Sequence, residues 1–383
     1  DDTKLSLSGN KPFDLYNEAL ENGVKTKPVI IGAYTFLKLA RYTGSKNAND
    51  FVDAAIAAYK DILAKFSGLG AEWVQIDEPC LVMDMDADDR ALFDKIYKEV
   101  LSAKGSVKVL LQTYFGDVRD CYSDICTLDF DGIGIDFVEG KKSLELVKSN
   151  GFPKDKVLFA GVVNGKNIWK NHYANTVKFV DEIKKHSGEV VINTSCSLLH
   201  VPYTLENESK LDESYKKHFA YAKEKLSELA ELKTILSADS PEDTAEYKNN
   251  VKLFSEPRSG ANADVQKKVS ELTDKDFVRL PVFEEREKVQ KARFKLPLLP
   301  TTTIGSFPQT KEIRAERAAF RKNEITQEEY DKFLEKQITD CIRLQEDIDI
   351  DVLVHGEFER NDMVEYFGEC LDGYIFTEKA WVQ

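Results

Sequence analysis

Six near-continuous apolar runs alternate with longer amphipathic stretches in the first two thirds of the chain, and no other feature constrains the fold as strongly. Runs that are apolar throughout are typical of parallel strands covered by helices on both faces. A βαβα series of this length predicts an α/β fold with a (β/α)8 barrel of the TIM type. Because the runs fall two short of such a barrel, we expect it to lack its first units. The runs are residues 28–33, 73–76, 107–111, 132–137, 157–163 and 190–194.

Helical patterns separate these runs. Residues 47–50 and 86–89 contain Asn and Asp side chains that can accept hydrogen bonds from the free N–H groups of a first helical turn, so they predict two helix starts. The predicted helices cover residues 50–66, 89–102, 171–185 and 213–232.

The rest of the chain predicts a linker and the start of a second barrel. Residues 237–290 are highly charged and have little strand character, which favours a helical hairpin or linker. A second βα series then opens at Thr301. The expected organisation is an N-terminal barrel over 1–236, a helical linker over 237–297 and the beginning of a C-terminal barrel over 298–383. The second series is predicted as a strand from 301, helices over 312–321 and 326–346, and a strand over 352–354.

Charge and composition exclude several classes of protein. The chain has 53 Lys and Arg against 67 Asp and Glu, a net charge of −14, which disfavours nucleic acid as a partner because phosphate binding needs a basic surface. No apolar run approaches the length of a membrane span, and the Asp-rich N-terminus does not resemble a signal peptide. Six cysteines without a CxxC pair predict free thiols in a reducing compartment. We therefore expect a cytoplasmic protein without a membrane partner. A monomer is a separate expectation, which these features do not determine.

Two polar strand ends dominate the second series. The first, residues 301–310, carries Gly305 and Ser306, where the backbone can approach a ligand closely and main-chain N–H groups can hold a small anion. The second follows the apolar run 352–354, and such a density of charge at a strand end favours a binding site over a surface turn. Its ionisable residues are His355, Glu357, Glu359, Arg360, Asp362, Glu365 and Glu369.

A carboxylate pair in the first series allows two interpretations. Asp77 and Glu78 follow a buried strand, so they could act as acid, base or ligand at the barrel mouth. They could equally cap a turn that Pro79 fixes. We favour the structural role, because the neighbouring Cys80 leads into an apolar run where a thiol belongs to the core.

The strings TTTIGSFPQT from Thr301 and HGEFERNDMVEYFGE from His355, with RFKLP from Arg293, resemble the cobalamin-independent methionine synthase family. WVQIDEP from Trp73 and NTSCSLLH from Asn193 extend the resemblance over essentially the whole chain, which looks like a middle segment of the family's two barrels. The resemblance implies zinc-dependent methyl transfer from 5-methyltetrahydropteroyltri-L-glutamate to L-homocysteine, giving L-methionine.

The resemblance also implies the roles of individual residues. Ile304, Gly305 and Ser306 would contact the amino-acid part of homocysteine or methionine. Glu357 would bind its α-amino group, and Asp1 would contact the folate. The zinc ligands and the remaining folate contacts would lie beyond Gln383, so no catalytic or metal-binding residue is expected in this segment, and the segment alone is expected to be inactive.

In the family's catalytic barrel, the resemblance implies, zinc is held by a His-x-Cys pair, a Glu and a second Cys. The corresponding places in the first barrel are Tyr114, Gly116, Asp136 and Cys196. One thiol and one carboxylate are too few for zinc, which takes three or four protein ligands. The first barrel is therefore expected to be metal-free, with Cys196 as a buried remnant.

Two alternatives remain open at the level of sequence. The chain could be a non-catalytic barrel module that binds homocysteine or methionine. It could also be a barrel enzyme with metal-free carboxylate catalysis at Asp77 and Glu78, which predicts activity in the presence of a chelator.

Overall fold

The computed structural model describes residues 4–256 and 262–380. Two compact units divide the chain: Asp1–Ser259 together with Thr377–Gln383, and Gly260–Phe376.

A six-stranded, fully parallel sheet forms the centre of the first unit. Its strands are hydrogen-bonded in sequence order, β1 to β6, as in the wall of a (β/α)8 barrel, whereas a doubly wound sheet reverses its order at a switch point. The predicted α/β class of the TIM type is confirmed, and each predicted run forms a strand. The strands are β1 Val29–Ile31, β2 Trp73–Asp77, β3 Lys108–Gln112, β4 Gly132–Asp136, β5 Val157–Val163 and β6 Val190–Thr194.

The main core of the first unit packs buried side chains of the strands against those of the helices. Val74 and Ile76 of β2 have no exposed surface, and neither have Leu63 and Phe93 on two of the helices. Burial of each such side chain stabilises the fold by about 1.5–3 kcal/mol. The helices are α1 Lys11–Glu21, α2 Ala33–Leu39, α3 Val52–Gly68, α4 Ala87–Leu101, α5 Tyr122–Thr127, α6 Ser143–Asn150, α7 Tyr173–Lys184, α8 Glu213–Lys216, α9 Ala222–Leu236 and α10 Ala245–Ser255.

Both predicted N-cap segments are confirmed. The Asn47 side chain accepts from Asn49 N, and Asp50 Oδ2 accepts from Asn47 N at 2.8 Å, at the start of a short 3-10 helix that runs into α3. Asp86 Oδ1 accepts from Asp89 N at 2.8 Å in the first turn of α4.

The single helix predicted over 213–232 is wrong, because the chain leaves the helical path between α8 and α9. Phe219 forms an antiparallel bridge with Trp169, and Ala220 N donates to Ile168 O at 2.7 Å. This pairing with a loop some fifty residues earlier satisfies backbone groups that would otherwise need helical partners.

The described part of the second unit contains helices and two short bridges, joined by irregular segments. The strands predicted at Thr301 and over 352–354 do not form a regular ladder; they pair only at Thr302 with Val352 and at Ser306 with Gly356. Two parallel strands on their own are weakly stabilised, and Leu353 remains 39% exposed. The helices are α11 Ala263–Ser270, α12 Phe283–Phe294, α13 Lys311–Arg321, α14 Gln327–Asp347 and α15 Met363–Cys370.

Two further findings concern the whole of the described chain. None of its described helices combines the length and the apolar character that crossing a membrane requires. All six cysteines are free thiols, as predicted.

Candidate functional site

The two polar strand ends of the second unit lie side by side. Asp351 Oδ2 accepts from the N–H and the hydroxyl of Thr301, at 2.7 and 2.8 Å, and Val352 N donates to Thr301 O at 3.0 Å. Further along, Phe307 N donates to Gly356 O at 2.9 Å. These contacts place Gly305 and Ser306 next to the turn that carries Glu357.

Glu357 and Ser306 are in direct contact. The Ser306 hydroxyl donates to Glu357 Oε2. Gly305 has a φ of 107°, a backbone conformation that favours glycine, and a Cβ at this position would lie 2.7 Å from Glu357 Oε1. The Ile304 side chain is 96% exposed, so it is not held in place by packing. The structure thus brings together Gly305, Ser306 and Glu357 of the predicted set.

The backbone around Glu357 is left-handed. Gly356 has a φ of 91° and Glu357 a φ of 61°. A residue with a Cβ adopts this conformation at a cost of about 1–2 kcal/mol, and it persists where surrounding contacts hold it. The turn carries the Glu357 carboxylate back toward Ser306.

Arg360 joins Glu357 to a second carboxylate. Its Nη2 lies 2.6 Å from Glu357 Oε1 and its Nη1 lies 2.5 Å from Glu359 Oε1. His355 Nε2 lies 3.1 Å from both oxygens of Glu359. Burial opposes ionisation of Glu359, but hydrogen bonds from its own backbone and from His355, with the charges of His355 and Arg360, lower the pKa of its carboxyl group. In the sequence, Arg360 was counted among the ionisable residues of this strand end, but its contact with two carboxylates was not predicted.

Two buried polar side chains support the turn, and sequence reasoning missed both. Arg317 of α13 is 8% exposed and donates through Nη2 to Phe358 O at 2.7 Å. Gln345 of α14 has no exposed surface; it donates to Val354 O at 2.7 Å and accepts from Val354 N at 2.9 Å. The available signal was a polar residue on the apolar face of an amphipathic helix, which predicts a buried polar contact without naming its partner.

The formal charge of this cluster suits a cationic ligand group. Glu357 and Glu359 contribute two negative charges and Arg360 one positive charge, so these three side chains together carry one net negative charge. Each carboxylate oxygen can accept more than one hydrogen bond. An ammonium group is therefore a suitable ligand for Glu357.

The Glu78 carboxylate in the first unit accepts hydrogen bonds from three groups that belong to the helices of the fold. It accepts from Tyr34 N at 3.0 Å, from Thr35 N at 2.7 Å and from the Tyr97 hydroxyl. Burial raises the pKa of Glu78 to about 7, although the hydrogen bonds from Thr35, Tyr97 and Tyr34 act in the opposite direction. A Cβ at Gly32 would lie 2.0 Å from Glu78 Oε1, so this close approach requires glycine. These contacts support a role in anchoring the start of α2.

Asp77 and Asp136 are also engaged in contacts within the first unit. Asp77 accepts from Gln75 Nε2 at 2.7 Å and from the Tyr114 hydroxyl at 3.3 Å, and burial raises the pKa of its carboxyl group. Asp136 accepts from three backbone N–H groups at 2.8–2.9 Å. Both carboxylates therefore serve the local structure of strand ends.

The residues at the zinc-equivalent places do not fit zinc. The Tyr114 hydroxyl donates to Asp77, Asp136 is bound to backbone N–H groups, and Cys196 is buried at 5% exposure. Within residues 4–256 and 262–380, no group of three or more His, Cys, Asp or Glu side chains could hold a metal ion. The predicted folate contact Asp1 lies outside the described residues.

The fold and the site define an α/β protein of the TIM-barrel type with a polar cluster between strand ends of its second unit. Residues 1–188 match the family described as cobalamin-independent synthase, N-terminal domain, and residues 299–383 match its catalytic domain. The chain belongs to the cobalamin-independent methionine synthase family.

Three curated relatives are each named 5-methyltetrahydropteroyltriglutamate–homocysteine methyltransferase. The protein of Streptococcus thermophilus is 54% identical over 381 residues, that of Streptococcus pneumoniae 52% over 382 residues, and that of Lactococcus lactis subsp. cremoris 51% over 382 residues. Each match covers all of this chain and 50% of the relative. The chain therefore spans about half the length of these relatives.

Proposed function

We propose that the intact protein transfers a methyl group from 5-methyltetrahydropteroyltri-L-glutamate to L-homocysteine and forms L-methionine. The relatives that bear this activity in their names support the reaction, since the match covers the whole of this chain. The observation that carries the role of the site is the contact of Ser306 with Glu357 beside Gly305.

The chemistry of the site supports an amino-acid ligand. Glu357 would accept a charge-assisted hydrogen bond from the α-ammonium group. The backbone of Ile304, Gly305 and Ser306 would receive the α-carboxylate, and Gly305 allows the close approach that this requires. The zinc and the folate in this proposal come from the family resemblance. Among the described residues, no group of three or more His, Cys, Asp or Glu side chains could hold a metal ion. The proposal includes a cytoplasmic monomer; the net charge of −14 supports the absence of a nucleic-acid partner.

Glu357→Gln in the intact protein tests the site. Loss of a charge-assisted hydrogen bond worth about 1.5–3 kcal/mol should weaken L-methionine binding by about 10- to 150-fold in calorimetry. Glu369→Gln, at an exposed position of α15, is the matched control and should leave the affinity unchanged. Unchanged methionine affinity in Glu357→Gln would show that the amino group binds elsewhere.

An activity assay separates the proposed enzyme from a binding module. The intact protein, supplied with L-homocysteine and the triglutamyl methylfolate, should form methionine. Methionine binding without methionine formation would favour the non-catalytic module. Full activity in the presence of a strong chelator, lost in Asp77→Asn, would favour carboxylate catalysis in the first unit instead.

A further inference from the structure

We propose that Arg360 is a positioning residue that gives this site its selectivity for an α-ammonium group. The inference rests on the proposed function, in which Glu357 receives that group. Its basis is that one guanidinium contacts two carboxylates, Glu357 Oε1 at 2.6 Å and Glu359 Oε1 at 2.5 Å. All three side chains are largely buried, at 13% exposure for Arg360, 22% for Glu357 and 19% for Glu359.

The geometry of the guanidinium explains how it would position Glu357. Its nitrogens lie in one plane in a rigid fork, so it fixes the two carboxylates relative to each other. Ser306 binds the second oxygen of Glu357, so both oxygens are held before a ligand arrives. A carboxylate offers about four acceptor positions, which leaves room for the N–H groups of an ammonium.

Arg360 is itself held by contacts outside the two carboxylates. Its backbone oxygen accepts from Arg317 Nη2 at 3.2 Å, and its guanidinium lies 5.8 Å from the centroid of the Tyr366 ring. Its position is therefore set by α13 and α15 rather than by Glu357 alone. An arginine held in this way can fix the position of the Glu357 carboxylate, which lies on a left-handed turn.

The charges of Glu357 and Glu359 explain why the loss of Arg360 should change the ligand selectivity of the site. Without Arg360, Glu357 and Glu359 would be two neighbouring, largely buried carboxylates that repel each other. Glu357 would then turn toward solvent, where it no longer meets the ammonium at hydrogen-bonding distance. A ligand that lacks the ammonium makes no use of Glu357, so its affinity should not depend on Arg360.

The test compares two ligands in the intact protein. The dissociation constants of L-methionine and of 4-(methylthio)butanoate, which lacks the α-amino group, are measured for the wild type, Arg360→Gln, Arg360→Lys and Glu357→Gln. Arg360→Gln should weaken methionine binding about tenfold or more and change analogue binding less than about threefold. Arg360→Lys keeps the charge without the fork and should lose part of the selectivity.

Two further variants complete the design. Arg321→Gln is the matched control, because Arg321 is exposed and forms a long ion pair of 4.0 Å with Glu365, and it should leave both affinities unchanged. The double variant Glu357→Gln/Arg360→Gln should be no weaker for methionine than Glu357→Gln alone, since both changes remove the same interaction.

The outcomes distinguish the inference from the proposed function. If Glu357→Gln loses selectivity but Arg360→Gln keeps the wild-type ratio of the two affinities, or weakens both ligands equally, the inference is overturned and the proposed function stands. If the wild type does not distinguish the two ligands, the amino-group assignment itself fails. Should Arg360→Gln not fold, Arg360→Lys decides, and an unchanged ratio there overturns the inference.

Discussion

The Glu78 carboxylate accepts hydrogen bonds from the N–H groups of Tyr34 and Thr35 at the start of α2 while it is fully buried. Hydrogen bonds and the helix N-terminus favour its charged form, and burial disfavours it more strongly. The result is a pKa near 7, raised from the usual 4.5. A carboxyl group with a raised pKa in the fold binds protons that the unfolded chain does not bind, so its contribution to stability depends on pH.

The sign of this dependence follows from the direction of the shift. The contribution of Glu78 is complete below about pH 4.5 and is lost as the pH rises through about 7. Over that window we expect the free energy of unfolding of the first unit to fall by about 3 kcal/mol on account of Glu78. Denaturant titrations between pH 5 and 8 measure the decline, which should be smaller in Glu78→Gln.

Asp53→Asn provides the control for this measurement. Asp53 has a side chain that is 89% exposed and pairs with Lys95 at the surface, so the variant should show the wild-type decline. An equal decline in Glu78→Gln and in the wild type would mean that other groups account for the pH dependence.

Single residues also show how much of the site the sequence could predict. Ser306 and Glu357 were assigned to one binding site through the family resemblance and stand at two polar strand ends in the sequence, but their direct contact across 51 positions was not predicted. The contacts of the Arg360 guanidinium with two carboxylates could not be predicted. They depend on the left-handed turn at Glu357, which no local sequence pattern specified.

At the scale of elements, predictions from a local apolar run were correct, and predictions that depended on distant partners were not. The strands of the first unit were found to within about two residues because each is a near-continuous apolar run, as is typical of parallel strands. The helix over 213–232 was wrong because the break between α8 and α9 is made by the distant partners Ile168 and Trp169. Within the strand predicted over 352–354, Val352 alone forms a bridge, with Thr302.

Gln345 supplies the predicted strand over 352–354 with hydrogen bonds that a neighbouring strand would otherwise provide. Its amide donates to and accepts from the backbone of Val354, as a strand partner would. Gln345→Leu should leave Val354 N unpaired and leave Val354 O with the weak contact of the Cys341 thiol at 3.9 Å, and so reduce the free energy of unfolding of the second unit by about 2–4 kcal/mol. Denaturant unfolding measures this loss. Methionine affinity should fall with it, because Glu357 follows three residues later.

The same helix supplies the control. Gln327, at the start of α14, donates to Asp331 at an exposed position, and Gln327→Leu should change stability by less than about 0.5 kcal/mol. If Gln345→Leu proves no more destabilising than Gln327→Leu, the contact with Val354 does not hold the segment.

At the scale of the whole molecule, the end of the described chain folds with the first unit, although it belongs to the region that matches the catalytic domain. Glu208, which is 1% exposed, accepts from Glu378 N at 2.7 Å and from Lys379 N at 2.8 Å. Sequence patterns could not predict this contact, because it joins residues 170 positions apart without a repeating signal.

The hydrogen-exchange rates of the Glu378 and Lys379 amides therefore measure how well residues 377–380 are held on the first unit. Glu208→Gln replaces one acceptor oxygen by a donor, so at least one of the two amides should exchange its hydrogen about tenfold faster or more. Glu206→Gln is the matched control: Glu206 is exposed and pairs with Lys223, so both amides should keep their wild-type rates. Wild-type protection of both amides in Glu208→Gln would show that other contacts hold residues 377–380, and that the Glu208 carboxylate is dispensable for attaching this segment to the first unit.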